Sequence, residues 1–177
     1  MTGTLVSLEE YLNTSYEPDM DFVDGVLVRR NAGTKQHATL QSIVAGYFRD
    51  LRHTHRVIAL TEARMLVDPA SGRHRIPDVL VLKIPFQRGR VVTEVPLVVV
   101  EIQSPDDNFE DMVERCFDYE KHGAGTILIM DPDKRRSWIF EQGTLRLLGD
   151  QIRVNLGGSV AELSFAGMFA ELDLYQA

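Results

Sequence analysis

The chain has one cysteine in 177 residues, Cys116, which excludes an internal disulfide and fits a reducing cytoplasm. No apolar stretch reaches membrane-spanning length, and the opening MTGTLVSLEE lacks the basic-then-apolar pattern of a signal peptide, so no membrane partner is expected. Positive charge is scarce as well. Nineteen Lys and Arg stand against 26 Asp and Glu, a net −7, which argues against generic binding to nucleic acid but leaves room for a locally basic groove. The sequence contains no P-loop, no dinucleotide glycine pattern, no HExxH and no CxxC pair. Its five histidines lack ligand spacing, which argues against a zinc site.

What is present is an ordinary soluble composition, 44% hydrophobic and 25% charged. The length suits one domain over residues 1–177, with its core at about 20–132. Ser7 and Glu10 form a capping-box pattern ahead of a short helix at Leu8–Leu12. DFVDGVLVRR (21–30) has apolar runs on either side of Asp24-Gly25, a hairpin signal. From Gln36 to Arg52 the period changes: Leu40, Ile43, Val44, Tyr47, Phe48 and Leu51 line one helical face. Strand-like runs follow at 57–67 and 76–83, separated by DPASG, then another at 96–103. Phe109, Met112, Val113 and Cys116 mark a second amphipathic helix, which Gly123 ends. On that helix Cys116 reads as a buried small hydrophobe rather than a nucleophile. TILIMDP (126–132) is a buried strand, SWIFEQGTLRLL (137–148) a hairpin around Gln142-Gly143, and 160–172 a last helix. This order predicts an α/β fold, a mixed sheet flanked by helices with an N-terminal and a C-terminal hairpin.

The acids then need an explanation. Pro77-Asp78 opens the apolar run VLVL, and Glu101 ends LVVV. If these strands pair antiparallel, the two carboxylates meet at one edge of the sheet. They would repel, and one would take up a proton unless a cation sits between them. A hard divalent ion, Mg²⁺ or Mn²⁺, answers this, since it accepts carboxylates, waters and a phosphate. Taken singly, each acid also has a plain structural reading, as a strand cap or an arginine partner.

Residues RIPDVLVL and LVVVEIQSPDDNFEDMVERCFDYEKHGAGTILIMDP resemble the restriction endonuclease (Uma) family of the PD-(D/E)XK nuclease superfamily, over roughly residues 20 to 132. The resemblance implies a restriction-endonuclease-like fold and metal-dependent hydrolysis of nucleic-acid phosphodiesters, DNA foremost, often by a homodimer. It makes Asp78 and Glu101 the metal-binding acids, with the Ile102 carbonyl as a further oxygen. Gln103 stands where the superfamily usually has lysine. The relatives' D-x-x-x-K helix pattern reads Asp111 to Arg115 here, so arginine replaces lysine; it can stabilise phosphoryl charge but cannot act as a base.

Asp21, before the Asp24-Gly25 turn, is implied as an accessory ligand. His37 is either a site residue or a helix-start histidine packed on the core. Glu62 either completes the acidic cluster or pairs with Arg64 or Arg75. GRHR (72–75), FQRGR (86–90) and DKRRSW (133–138) are basic clusters that are solvated or contact phosphates, and Trp138 either packs in its hairpin or stacks on a base. A rival reading keeps the fold and loses the chemistry: a catalytically impaired nuclease fold acting as a binding or assembly module.

Overall fold

The computed structural model describes residues 5–31 and 33–175, so the first four residues of MTGTLVSLEE lie outside it. In chain order the elements are α1 (Leu8–Asn13), β1 (Met20–Val23), β2 (Val26–Arg29), α2 (Lys35–Asp50), α3 (Arg52–His55), β3 (Val57–Thr61), β4 (Met65–Asp68), β5 (Arg73–Arg75) and β6 (Val79–Lys83). Then come β7 (Val98–Ile102), α4 (Phe109–His122), β8 (Thr126–Asp131), β9 (Arg136–Glu141), β10 (Thr144–Leu147), β11 (Gln151–Asn155), β12 (Val160–Ser164) and α5 (Phe165–Leu174). No helix among the described residues is long and apolar enough to cross a membrane.

The central sheet has the order β10-β9-β8-β7-β6-β3. Its neighbours run antiparallel except β7 and β8, which are parallel because α4 carries the chain back between them. Each central strand is buried on both faces, so its alternate side chains feed two cores. Val79, Val81, Val98, Val100, Leu128 and Met130 face α2 and α5, against Leu40, Val44, Phe48, Phe165 and Leu172. Leu80, Leu82, Val99, Ile127 and Ile129 face Met112, Cys116 and Tyr119 of α4, with Met65 and Val67 of β4. Each such side chain contributes roughly 1.5–3 kcal/mol of burial. A four-stranded antiparallel sheet, β2-β1-β5-β4, supplies β4 to this second layer.

Local chemistry sets the punctuation. Ser7 Oγ accepts from the Glu10 N–H at 3.1 Å, as the capping pattern predicts. Both β1–β2 and β9–β10 turn on paired positive-φ residues, Asp24-Gly25 (φ 51° and 86°) and Gln142-Gly143 (φ 51° and 71°). Gly123 ends α4 at φ 98°, a conformation that disfavours a side chain. Trp138 packs edge-on against Phe109, with centroids 5.9 Å apart.

Several boundaries differ from expectation. The run 57–67 is two strands in two sheets, because Glu62 takes a left-handed turn at φ 52° between β3 and β4. The run 76–83 is strand only from Val79; Arg73–Arg75 belongs to the smaller sheet, and Pro77, with no N–H to give a ladder, falls in the link. The strand at 96–103 narrows to Val98–Ile102. Residues 160–164 are not helical. They alternate exposed and buried and pair with β11, and Ser164 then caps α5 by accepting from the Gly167 N–H.

Candidate functional site

The pairing of β6 with β7 matches Val79 to Val100, so Asp78 lies one step on, beside Glu101. Asp78 is 2% exposed and Glu101 0%. Antiparallel strands joined through the 84–97 connection thus bring the two acids together, as the sequence predicts.

Every carboxylate oxygen of this pair has a partner. Asp78 Oδ2 accepts the Ile102 N–H at 2.7 Å. Asp78 Oδ1 takes Arg30 Nη2 at 2.5 Å and lies 3.4 Å from His37 Nε2. Glu101 Oε1 accepts the Tyr119 hydroxyl at 2.6 Å, and Oε2 takes Arg115 Nε and Nη2 at 3.1 and 3.0 Å. Here is the cation that a buried glutamate at the end of VVVEI requires: α4 delivers it from Arg115, one turn after Asp111.

These surroundings separate the acids electrostatically. Burial pushes the Asp78 carboxyl up, but the His37 hydrogen bond and the Arg30 charge outweigh it and hold the group below its usual range. Glu101 is pushed up, first by burial and then by the Asp78 charge, with Arg115 opposing. For His37, burial opposes the charged form and the Asp78 hydrogen bond and charge overcome it, raising its pKa. Burial keeps the Tyr119 hydroxyl and the Cys116 thiol protonated, so Cys116 is no nucleophile.

Asp78, Arg30, His37, Ile102, Ser104, Asp21, Asp111 and Arg115 line one cavity of about 120 Å³. It has room for waters, an ion or a phosphate's oxygens. His37, the third residue of α2, lines the cavity; its Nδ1 lies 3.0 Å from Ser104 Oγ while Nε2 faces Asp78. Asp21 is buried on the cavity wall and spends its oxygens on the Ile76 N–H at 3.0 Å and Arg75 Nη1 at 3.1 Å. Arg75 continues to Asp118 and Glu114, so it stiffens the cavity wall from behind. Asp111 is exposed at the mouth.

Two expected residues stand apart. Gln103 is half-buried beyond the end of β7 and does not line the cavity; its N–H extends the ladder to the Met130 carbonyl at 2.8 Å. Glu62 does not complete the acidic cluster: its side chain is exposed and lines another hollow with Arg64, whose guanidinium pairs with Asp19. Only its N–H touches the site's strand, donating to the Asp78 carbonyl at 3.3 Å. Arg30 and Tyr119 are the contacts that residue-by-residue reading missed. Arg30 comes from 48 positions away and has no local signal beyond the buried acid's need for charge.

Among the described residues no three His, Cys, Asp or Glu side chains stand as a group that could hold a metal ion. The donors nonetheless suit a hard divalent cation by type. They are carboxylate oxygens of Asp78 and Glu101, and the Ile102 carbonyl leaves the same strand edge as the N–H that meets Asp78. Two guanidinium groups now supply the positive charge that these acids demand.

The architecture is shared with a crystal structure described as a putative nuclease belonging to DUF820 from Anabaena variabilis. The TM-score is 0.79 at 19% identity, over 94% of this chain and 99% of that one. A cryo-EM structure of a DrdV–DNA complex is more distant, with a TM-score of 0.44 at 16% identity over 81% of this chain and 12% of that one. No curated protein matches. The fold is therefore the restriction-endonuclease-like mixed sheet flanked by helices. A profile of the Uma2 family, described as "Putative restriction endonuclease", matches residues 8–169, and the chain belongs to that family.

Proposed function

We propose that the chain is a divalent-metal-dependent nuclease that hydrolyses phosphodiester bonds of nucleic acid, DNA foremost, at the cavity between Asp78 and Arg115. The observation that carries this is the strand register, which sets Asp78, on the wall of a cavity lined by four arginines (Arg29, Arg30, Arg75 and Arg115), beside the fully buried Glu101. A protein with no use for a cation there gains little by burying two acids side by side.

Asp78, Glu101 and the Ile102 carbonyl would hold Mg²⁺ or Mn²⁺, which supplies Lewis-acid polarisation of the phosphate and a more acidic water for in-line attack. Asp78, held ionised by His37 and Arg30, offers the stronger oxygen donor. Arg115 neutralises Glu101 and presents a permanent positive charge to the scissile phosphate; it takes no proton. Tyr119 fixes the Glu101 rotamer through its hydroxyl. The Arg75–Asp21–Asp118 network holds the wall still, so that little reorganisation is left for the transition state.

A second reading has its own observation. Arg30, Arg115 and Tyr119 satisfy both acids without an ion, as in a nuclease fold that binds or assembles and no longer cuts. One assay separates them: single- and double-stranded DNA and RNA incubated with Mn²⁺ or Mg²⁺. Cleavage by wild type, lost in Asp78→Asn and Glu101→Gln and kept or raised in Arg115→Lys, supports the nuclease. Binding with no cleavage in wild type or Arg115→Lys supports the second reading. Sedimentation of the same samples tests the homodimer that a two-strand cut would use.

A further inference from the structure

The metal reading leaves Arg30 unexplained. It lies one residue past β2, yet its side chain, 17% exposed, carries the guanidinium into the cavity. Its Nη2 sits 2.5 Å from Asp78 Oδ1, the oxygen not used by the Ile102 N–H. A magnesium ion binds an oxygen at about 2.0–2.1 Å with near-octahedral demands. An ion and a guanidinium on that one oxygen would be like charges only a few ångströms apart, in a place with little water to screen them.

The next residue fastens the segment. Asn31 Nδ2 donates to the Asp106 carbonyl at 2.8 Å and to Asp107 Oδ1 at 3.0 Å. Asp107 Oδ2 in turn accepts the Ser104 N–H at 2.7 Å, so the tie is anchored to the end of the site's own strand. Arg30, Asn31, Ser104 and Asp107 all line the cavity. The end of the N-terminal hairpin therefore crosses the mouth, with one residue filling the cation place and the next holding the far side.

We infer that Arg30 is the resident occupant of the cation place on Asp78, held there by the Asn31 tie, and that a divalent ion binds only in competition with it. This rests on the metal reading given under Proposed function. The apparent affinity is the intrinsic affinity reduced by the fraction of molecules in which Arg30 has withdrawn. Once withdrawn, the guanidinium remains one side-chain length from the cavity, where its planar fork suits a phosphate of the incoming strand. The arrangement keeps the acids neutralised until ion and substrate arrive together.

The test is direct Mn²⁺ titration of chelator-treated, full-length protein, with free Mn²⁺ read by electron paramagnetic resonance, on wild type, Asp78→Asn, Arg30→Gln and Asn31→Ala. Binding should be weak in wild type and absent in Asp78→Asn. It should tighten at least tenfold in Arg30→Gln and two- to fivefold in Asn31→Ala. Arg30→Gln leaves Asp78 with only His37 and the Ile102 N–H as partners, so its melting temperature without metal should fall; if it fails to fold, Asn31→Ala alone decides, because it keeps the Arg30 guanidinium in the chain. Asp78-dependent binding that is equal in wild type, Arg30→Gln and Asn31→Ala overturns the competition and leaves the metal site standing. No Asp78-dependent binding in any folded variant overturns both.

Discussion

Replacing Arg115 by methionine keeps an apolar stem and removes the guanidinium that contacts Glu101 Oε2. Glu101 is then left fully buried with only the Tyr119 hydroxyl among its observed partners. Removing one member of a buried pair costs roughly 3–5 kcal/mol, because the remaining charge is stranded. Glu101 can limit that loss by taking up a proton. Its carboxyl is already pushed up by burial and by Asp78, and losing Arg115 pushes it further. An acid whose folded pKa exceeds its unfolded value of about 4.3 loses stability as pH rises past that value, by about 1.4 kcal/mol per unit until the folded pKa is reached. The penalty of Arg115→Met should therefore grow with pH, approaching about 3–5 kcal/mol at pH 8 and being smaller at pH 5. Urea unfolding followed by circular dichroism at both pH values measures it, provided the slope with denaturant is unchanged. The double variant Glu101→Gln/Arg115→Met should recover most of the loss at pH 8. A penalty below about 1 kcal/mol and equal at both pH values would mean a solvent-screened pair, and the buried-acid reasoning would be wrong.

Two further outcomes follow from the same structure. His74 is buried between Tyr11 and Phe22, and burial depresses its pKa below the ordinary value, with the Gly72 carbonyl opposing and Arg64 adding. A depressed histidine contributes stability above its unfolded pKa and loses it as pH falls, so His74→Asn should show a smaller drop in melting temperature from pH 7.5 to 5.5 than wild type; an equal drop would show that His74 does not titrate on unfolding. At the entry to β8, a Cβ on Gly125 would lie 2.8 Å from the Leu97 carbonyl oxygen. Gly125→Ala should cost roughly 1–3 kcal/mol in urea unfolding, and a neutral result would mean that the strand end shifts freely.

The parts of the fold that were legible in the sequence had a clean period or a turn with its own chemistry. α2 and α4 show one apolar face, β7 and β8 are short apolar runs, and both Gly-containing hairpins close on positive-φ pairs. The C-terminal strand was not legible. Ala161 and Leu163 alternate with period two, then Phe165, Met168, Phe169 and Leu172 follow with helical spacing, and only the Ser164 cap marks the change. The break at Glu62 is a backbone conformation that its residue type does not announce. In the site, the two acids could be read because they stand at the ends of neighbouring apolar runs, and Arg115 because it holds the lysine position of the resembled family's helix pattern, four residues after Asp111. Arg30 could not, since its contact spans 48 residues and depends on where the hairpin end falls.

The central claim is that Asp78 and Glu101 hold a divalent cation, and crystals soaked in Mn²⁺ test it most directly. The account predicts one anomalous-density peak about 2–2.5 Å from the Asp78 carboxylate and beside Glu101, with Arg30 withdrawn, and no peak there in Asp78→Asn crystals. Saturating Mn²⁺ with Arg30 still seated on Asp78, and anomalous density elsewhere or nowhere, would contradict it.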